Sequence, residues 1–318
     1  MRITRGIPAA AAGPTALTIG NFDGVHLGHQ AMLAELTHAA HRLGTPACVL
    51  TFEPHPREFF APDKAPTRLT SLREKLELLA DFGVDRVHIC RFSYAFAQIS
   101  AEDFVERVIA RGLGARWLLV GDDFRFGARR GGDIAMLRHA GPRLGIEVAA
   151  LGSVTLNAER VSSTAVRAAL AAGELDRADR LLGRTYSMSG RVVRGDGLGR
   201  KLGFPTANIQ IKHNRPPLTG IFVVELSGVR EAPLRAVASL GVRPTVRQHG
   251  TPTLEVHVLD FEGDLYGRHV RVQFLHKLRD EEKYADLATL TRHIALDVEN
   301  TREYFRRRDA ETQRKAKA

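Results

Sequence analysis

Two histidines near the start of the chain have the type and the spacing that phosphate chemistry needs. His26 and His29 lie three residues apart at the start of a predicted helix, directly after the apolar run 16–19. A helix N-terminus offers unpaired N–H groups and a partial positive charge, so phosphates bind there. Two imidazoles on one helix face can donate hydrogen bonds to a phosphate that gains charge during a reaction. Gly28 between them would let a ligand approach the backbone. The alternative is a surface helix with incidental histidines.

A second group of phosphate-binding side chains occurs near residue 163. Ser162, Ser163 and Thr164 fit a helix N-cap, and Arg167 follows about one turn later. Capping hydroxyls, free N–H groups and a guanidinium together suit a triphosphate. A plain capped helix is the alternative interpretation of this segment.

The segment 195–208 is dense in glycine and ends on Thr206 and Asn208. It lacks the Gly-Lys-Ser/Thr ending of a Walker A loop, yet a glycine-rich loop can still wrap phosphates with its backbone N–H groups. Thr206 and Asn208 alternate along an extended segment, so both point to one side. Their neutral oxygens can complete a Mg²⁺ shell dominated by phosphate and water. Further along, Glu255 and His257 share one face of an alternating strand.

The elements that must position these residues change character along the chain. Over residues 15–160, short apolar runs alternate with amphipathic helical patterns, which indicates βαβ units and a doubly wound parallel sheet in an α/β domain. Ligands bind beyond the carboxyl ends of such strands. The apolar runs are 16–19, 47–52, 86–90, 117–120 and 147–151.

After residue 184, glycine, proline and short β-rich runs predict a small antiparallel barrel or sandwich, and residues 281–308 predict a closing helix. The segment 162–182 is predicted to be helical and to join the halves. With 318 residues, we predict two domains, at 1–182 and 183–318. The predicted strands are 187–193, 221–226, 236–240, 253–259 and 270–274.

Composition excludes several classes of protein. A hydrophobic fraction of 44% excludes a disordered chain, and two cysteines cannot form a disulfide framework. That cysteine count indicates a reducing compartment, so we expect a cytoplasmic protein. No apolar run is long enough for a membrane span, and Pro8 and Pro14 interrupt the signal-like N-terminus. The net charge of +10 divides into +3 for residues 1–170, +3 for 171–301 and +4 for 302–318, a distribution that favours small anionic ligands over nucleic acid.

These strings together resemble a known family. The His-x-Gly-His of residues 26–29 resembles the nucleotidyltransferase superfamily, and the longer string 20–29 looks like bacterial FAD synthetase, the bifunctional riboflavin kinase/FMN adenylyltransferase family. Residues 51–56 resemble that family's flavin-side loop, 121–127 a later loop, and 161–167 its second phosphate-binding motif. In the other half, 195–208 resembles the riboflavin kinase signature and 254–260 the strand that carries the catalytic Glu.

The resemblance implies two ATP-dependent reactions: phosphorylation of riboflavin to FMN, and adenylylation of FMN to FAD with release of pyrophosphate. It implies Glu255 as the kinase base, Thr206 and Asn208 as holders of Mg²⁺-ATP, and His26 and His29 as stabilisers of charge in adenylyl transfer. No nucleic-acid, membrane or obligate protein partner is implied. The further phosphate-binding residues are Gly20, Phe22, Asp23, Gly28, Ser162, Ser163, Thr164, Arg167, Gly199, Lys201 and Gly203. The flavin-binding residues are His55, Pro56, Asp123, Phe124, Arg125, Phe126 and Arg279, the last being equally compatible with a surface charge run.

Three positions depart from the family pattern: Thr185 where Pro is frequent, Phe222 where Tyr is frequent, and Ser239 where Asn is common. They leave details of the nucleotide pocket open. Two alternatives also remain: a nucleotidyltransferase that acts on pantetheine phosphate, and a nucleic-acid-binding regulatory protein on a nucleotidyltransferase-like scaffold. The second would require aromatic residues interleaved with basic ones on the barrel strands, which are scarce here.

Overall fold

The computed structural model describes residues 1–195, 197–213, 215–243 and 251–317. The described chain forms two compact units. The first contains Met1–Pro66 and Leu72–Ser163, and the second contains Thr67–Ser71 and Thr164–Ala318. Asp196 of the glycine-rich string lies outside the described residues.

The first unit is built on a six-stranded parallel sheet with the strand order β1-β4-β3-β2-β5-β6. A two-stranded antiparallel hairpin, β7 and β8, follows it. The strands are β1 (Arg2–Arg5), β2 (Thr15–Ile19), β3 (Ala47–Glu53), β4 (Arg86–Arg91), β5 (Ala115–Gly121), β6 (Glu147–Leu151), β7 (Thr155–Leu156) and β8 (Glu159–Arg160).

Helices follow the sheet strands, as the alternating pattern predicts. Helix α5 continues without a break as a π-helical segment, Phe104–Gly112. Short 3₁₀ turns lie at Pro62–Lys64, Ala128–Arg130 and Pro142–Leu144. The helices are α1 (Leu27–Leu43), α2 (Pro56–Phe60), α3 (Leu72–Asp81), α4 (Tyr94–Ala97), α5 (Ala101–Asp103) and α6 (Ile134–Ala140).

Alternate residues of the sheet strands enter two separate cores. In β5, Leu118 packs in a cluster with Val108 and Ile109 of the π-helical segment, whereas Leu119 packs with Leu33 and Leu36 of α1. Because both faces are covered by helices, the central strands are mostly apolar along their length and do not alternate between apolar and polar residues. All five residues of β2 are buried.

The strand order reverses at β2, whose neighbours are β3 on one side and β5 on the other. In an open α/β sheet this switch point is where ligands bind, beyond the carboxyl ends of the strands. The loops after β2 and β5 carry the strings 20–29 and 121–127, so two of the three predicted ligand loops after sheet strands leave the sheet at this point.

The second unit contains a closed antiparallel barrel of six strands in the order β10-β13-β12-β11-β14-β9. The segment Thr67–Ser71 belongs to this unit: the Tyr186 hydroxyl donates a hydrogen bond to the carbonyl of Leu69 at 3.0 Å. The strands are β9 (Ser187–Val193), β10 (Ala207–Gln210), β11 (Gly220–Ser227), β12 (Leu234–Arg243), β13 (Thr251–Val258) and β14 (His269–Arg279). The helices are α7 (Ser163–Ala171), α8 (Leu175–Leu182), α9 (Leu198–Lys201) and α10 (Leu287–Lys317).

The barrel interior is packed with apolar side chains. Phe222 and Phe274 meet edge to face with their ring centroids 5.2 Å apart, and both are fully buried. Leu254 and Val256 of β13 point inward, so Glu255 and His257 between them lie on the outer face. Any chemistry of Glu255 therefore takes place on the outside of the barrel.

The predicted fold class is confirmed, with two corrections in detail. The run 16–19 is not the first strand, because β1 precedes it and pairs in parallel with β4. The β-rich prediction also missed β10, the strand that carries Asn208. Within the described residues, no helix is both long and apolar enough to cross a membrane.

Candidate active sites

His26 is both the N-cap of α1 and the centre of the first site. Its Nδ1 accepts a hydrogen bond from the backbone N–H of His29 at 3.3 Å. The two imidazole rings stack with their centroids 3.7 Å apart and their planes at 16°. Because Nδ1 is an acceptor here, the neutral tautomer of His26 carries its proton on Nε2, which is a hydrogen-bond donor.

His29 is held neutral by its surroundings. Burial, followed by the neighbouring His26 and the Lys75 ammonium, lowers the pKa of His29 well below its usual value of 6.5. Its Nδ1 is buried and has no hydrogen-bond partner within the described structure. The Phe22 ring lies against it at a centroid distance of 4.9 Å. His29 therefore acts as a neutral polar group and not as a fixed cation.

The loop between β2 and α1 has an unusual backbone. Phe22, Gly24 and Val25 all have positive φ angles, of 49°, 84° and 41°. A β-branched residue in this region is strained, and such strain clusters at functional sites. The carbonyl of Asp23 accepts a hydrogen bond from the Ser163 hydroxyl at 2.9 Å, which joins two of the predicted phosphate-binding residues.

Gly28 has a more specific role than the sequence predicts. A Cβ at this position would lie 3.2 Å from two atoms of the His26 ring, and Gly20 would bring a Cβ to 3.1 Å from the Phe22 ring. Both glycines make room for the neighbouring aromatic side chain, in addition to any ligand.

The second phosphate-binding string, residues 161–167, includes the end of a loop and the first turn of helix α7. Helix α7 begins at Ser163, and Ser162 immediately precedes it. The Nε of Arg167 donates to the carbonyl of Thr67 at 2.5 Å, within the second unit. Thr164 is exposed. The roles of Thr164 and Arg167 in phosphate binding remain predictions.

The two flavin-side residues after β3 form a helix cap. His55 is the N-cap of α2: its Nδ1 accepts from the Arg57 N–H at 3.1 Å, and its own N–H donates to Glu58 at 3.2 Å. Pro56 occupies the first helical position. This reciprocal capping box fixes the direction of the chain after the strand.

The four flavin-side residues after β5 have different surroundings. Asp123 is exposed and pairs with Arg160 at 2.8 Å, while Arg125 pairs with Asp133 at 2.6 Å. Phe124 and Phe126 stack at 5.6 Å, but Phe126 is only 5% exposed and belongs to the core. Phe126 therefore packs against Phe124 from the side of the core.

Sequence reasoning missed an aromatic cluster at the same edge of the sheet. Phe52 is the last but one residue of β3, Phe92 follows β4, and their rings meet edge to face at 6.0 Å. Phe59 of α2 contacts Phe92 at 5.5 Å and exposed Tyr94 at 5.8 Å. The rings lie far apart in sequence, and only the parallel sheet brings them together, so no local pattern could have revealed them.

On the barrel, the predicted kinase residues form one row. Asn208 of β10 lies directly opposite Glu255 of β13, which lies opposite Ser239 of β12. Residues opposite one another in antiparallel strands point to the same face. The Thr206 hydroxyl lies 3.5 Å from a Glu255 carboxylate oxygen. His257 contacts the Pro205 carbonyl at 2.9 Å and so holds the preceding loop against β13.

A cavity of about 370 Å³ opens beside this row. Thr206 and Asn208 form part of its wall, together with Gly195, two arginines, Arg194 and Arg200, and the ring of Tyr266. Its volume falls within the range typical of small-molecule sites. Oxygen donors, two guanidinium groups and an aromatic ring thus line one cavity.

Glycine is required in the loop that borders the cavity. A Cβ on Gly195 would lie 2.3 Å from the Asn208 amide nitrogen, and one on Gly199 would lie 2.4 Å from the Phe204 carbonyl. Gly203 adopts φ +86°, in the left-handed region. Lys201 is exposed at the end of α9, and its binding role stays a prediction.

Arg279 is engaged in a structural ion pair. Its Nε and Nη2 bind the two carboxylate oxygens of Asp297 in α10 at 2.9 and 2.7 Å, and its Nη1 donates to the Asp280 carbonyl. The hydrogen bond to Asp297 raises the pKa of Arg279. Arg279 therefore anchors α10 to the barrel, a role that neither sequence interpretation included.

The three departures from the family pattern lie in distinct places. Phe222 fills the barrel interior, and Thr185 hydrogen-bonds to Asp179 next to β9. Ser239 lies in the row with Asn208 and Glu255, and its hydroxyl donates a hydrogen bond to Glu281 at 3.2 Å. Of the three, Ser239 is the one that touches the candidate kinase face. The adjoining Pro244 and Thr245 lie outside the described residues.

Comparison with known proteins gives a different family match in each half of the chain. A family model described as FAD synthetase matches residues 9–165, and one described as riboflavin kinase matches residues 182–305. A bifunctional riboflavin kinase/FMN adenylyltransferase from Escherichia coli (strain K12) is 46% identical over 96% of this chain and 98% of its own length. The chain belongs to the bifunctional riboflavin kinase/FMN adenylyltransferase family. The family member from Pseudomonas fluorescens is 50% identical over 88% of this chain and 90% of its own length.

A solved structure from Streptococcus pneumoniae, described as a macrolide-efflux protein, is also similar to the enzyme. It has a TM-score of 0.81 and 28% identity, and covers 95% of this chain and 99% of that one. Family membership leaves the nucleic-acid-binding regulatory alternative without support. It also accounts for both sets of motifs, which a pantetheine phosphate nucleotidyltransferase would not carry.

Proposed function

We propose that the two reactions of this bifunctional enzyme use the two sets of residues described above. Adenylylation of FMN is assigned to residues 1–182 and phosphorylation of riboflavin to residues 183–318. The matches of the two family models to residues 9–165 and 182–305 support this division.

In the kinase site, Glu255 acts as the base. It accepts the proton of the riboflavin 5′-hydroxyl as that oxygen attacks the γ-phosphate of ATP, and ADP leaves with the electrons of the broken P–O bond. The placement of Glu255 beside Thr206, at 3.5 Å, supports this assignment. The cavity next to them supplies space for the nucleotide.

The donors on this face suit Mg²⁺. Thr206 and Asn208 offer a hydroxyl and an amide oxygen, which are hard ligands, and Glu255 adds a carboxylate close by. The described residues contain no cluster of three or more His, Cys, Asp or Glu, so a cation here would depend on nucleotide phosphates, the binding mode that Mg²⁺ commonly adopts. When bound, the ion would neutralise charge on the transferred phosphate.

In the adenylylation site, an FMN phosphate oxygen attacks the α-phosphate of ATP and pyrophosphate leaves. The Nε2–H of His26 donates to the phosphate as charge develops on it, and His29 holds the His26 ring by stacking. The helix N-terminus adds backbone N–H groups. Because the pKa of His29 is lowered, this stabilisation comes from oriented dipoles and not from an imidazolium at position 29.

The single observation that carries the proposal is the row of Asn208, Glu255 and the adjoining Thr206 beside a cavity. The test is incubation with riboflavin, ATP and Mg²⁺, followed by chromatographic separation of FMN from FAD. Both products are expected, and they disappear when the cation is removed by EDTA. Formation of neither product from riboflavin by the folded protein would contradict the proposal.

We place the enzyme in the cytoplasm, where its substrates are small molecules. Cys48 and Cys90 are free and buried, and burial raises the pKa of each thiol to about 12. Such thiols are unreactive and need no oxidising compartment.

A further inference from the structure

His257 is a strand residue that the sequence singles out and that the two proposed reactions leave without a role. It lies two residues after Glu255 on β13, and both side chains point to the outer face of the barrel. Its Nδ1 lies 2.9 Å from the carbonyl oxygen of Pro205. Because a carbonyl oxygen only accepts hydrogen bonds, Nδ1 must carry a proton. His257 can therefore donate to Pro205 whether its ring is neutral or protonated.

This hydrogen bond lies where the pairing between β10 and β13 ends. The first paired residue of β10 is Ala207, which lies opposite Val256. One step further along the same register, Thr206 would face His257, but the ladder does not extend to it. Pro205 has no backbone N–H and cannot continue a ladder. The His257 side chain thus attaches the chain to β13 at the point where the backbone no longer does.

The His257 ring makes a second contact with the same loop. It meets the Phe204 ring edge to face, with the centroids 5.6 Å apart and the planes at 83°. The Phe204 N–H in turn donates to the Gly199 carbonyl at 2.8 Å, which closes the glycine-rich loop. His257 therefore holds the two residues before Thr206, and the β10 ladder begins with the residue after it. Thr206 is fixed from both directions along the chain.

We propose that His257 is a positioning residue of the kinase site, which holds Pro205 so that the Thr206 hydroxyl faces the nucleotide in the adjoining cavity. This inference rests on the proposed function, which assigns Thr206 to nucleotide binding. Thr206 lines the cavity, and its hydroxyl lies 3.5 Å from Glu255. Because Pro205 and Thr206 share a peptide bond, a displaced Pro205 carries Thr206 out of place, and small displacements in a site of this kind are costly.

The test uses substitutions that differ in where they place a donor. The Asn amide nitrogen lies close to the position of Nδ1 in histidine, whereas the Gln amide nitrogen lies near that of Nε2. Total phosphorylated flavin, FMN plus FAD, is measured from riboflavin at varied ATP. His257→Gln and His257→Phe lose the donor to Pro205, so kcat/KM for ATP should fall about tenfold or more. His257→Asn should stay within about threefold of the parent. The KM for riboflavin should not change.

Thermal unfolding separates positioning from general support of the barrel. The midpoint of each variant should match that of the parent, and a midpoint that falls in parallel with activity would overturn a role confined to Thr206. A parent protein that makes no FMN would overturn the proposed function itself. With an active parent, an unchanged kcat/KM for ATP in His257→Phe overturns the positioning role alone. Equal losses in His257→Asn and His257→Gln also overturn it, because the position of the donor would then be irrelevant.

Discussion

At the scale of single residues, His26 and Glu255 should separate the two activities. His26→Ala removes the donor at the helix start, so FAD synthesis is lost while FMN continues to form from riboflavin. Glu255→Ala removes the kinase base, so FMN formation is lost while supplied FMN is still converted to FAD. Chromatography of products from each substrate measures both. Loss of both activities in a folded His26→Ala protein would refute the assignment of two independent sites.

Protonation of His29 should affect the stability of the folded protein. Its folded-state pKa is lowered from 6.5, so below about pH 6.5 the unfolded chain binds the proton more readily and stability falls as the pH falls. In His29→Phe, which keeps an aromatic ring for stacking, this part of the acid sensitivity should disappear. Thermal unfolding midpoints at pH 7.5 and 5.5 measure it. Exposed His41→Gln is the control and should behave like the parent.

At the scale of elements, the glycine-rich loop sets the position of Asn208. In Gly195→Ala, a Cβ 2.3 Å from the Asn208 amide must displace that side chain, so kinase activity should fall at least tenfold. Gly267→Asn is the control, since nothing lies within 4 Å of a Cβ there, Asn tolerates its φ of +77°, and the residue does not line the cavity. Both variants should convert FMN to FAD at the parent rate. An equal kinase loss in both would mean that the barrel loops respond to any glycine substitution.

Among the described residues, helix α10 is attached to the barrel by one largely buried ion pair and by several more exposed ones. Asp297→Ala leaves the Arg279 guanidinium, whose side chain is 22% exposed, without its partner. We expect a loss of about 3 kcal/mol in the free energy of unfolding, measured by urea denaturation. Asp260→Ala, which breaks the exposed pair with Arg302, should change stability little. A similar effect of both would mean that burial does not decide the strength of these pairs.

Hydrophobic periodicity predicted most of the helices and strands, because the pattern of apolar residues follows from which side of each element is buried. All five predicted strands of the first half and all five of the second occur, and the run 187–193 matches β9 at both ends. Strand β1 was missed because it is short and partly exposed, with arginine at both ends. Strand β10 was missed because a glycine-rich motif and a strand share its residues. The aromatic cluster and the Arg279–Asp297 pair depend on tertiary contacts, which a linear pattern does not contain.

The site residues that were predicted from sequence all lie in local strings. His26, Ser163, Thr206 and Asn208 were proposed because each belongs to a contiguous motif. Tyr266 was not predicted as a site residue. It lines one cavity with Arg194 and Thr206, which lie some sixty to seventy residues away in the chain. For the same reason, the sequence did not predict that Thr67–Ser71 belongs to the second unit.

At the scale of the whole molecule, the two activities should complement each other between chains. Equal amounts of His26→Ala and Glu255→Ala proteins, supplied with riboflavin, should together produce FAD, because FMN released by one protein can bind the other. Each protein alone should not. Chromatography of the mixture over time measures this. If the mixture accumulates FMN without FAD, transfer through solution is excluded.

Strand β1 gives the first sheet an edge with arginine at both ends. It covers β4 from Arg86 to Ile89, and Gly6 adds a backbone hydrogen bond to Ile89. The FAD synthetase family model begins only at residue 9, after this strand. A fragment trimmed to that match would therefore expose the unpaired backbone of β4, which would be free to pair with other molecules. Such a fragment should aggregate on expression, although it keeps the strings 20–29, 51–56 and 121–127.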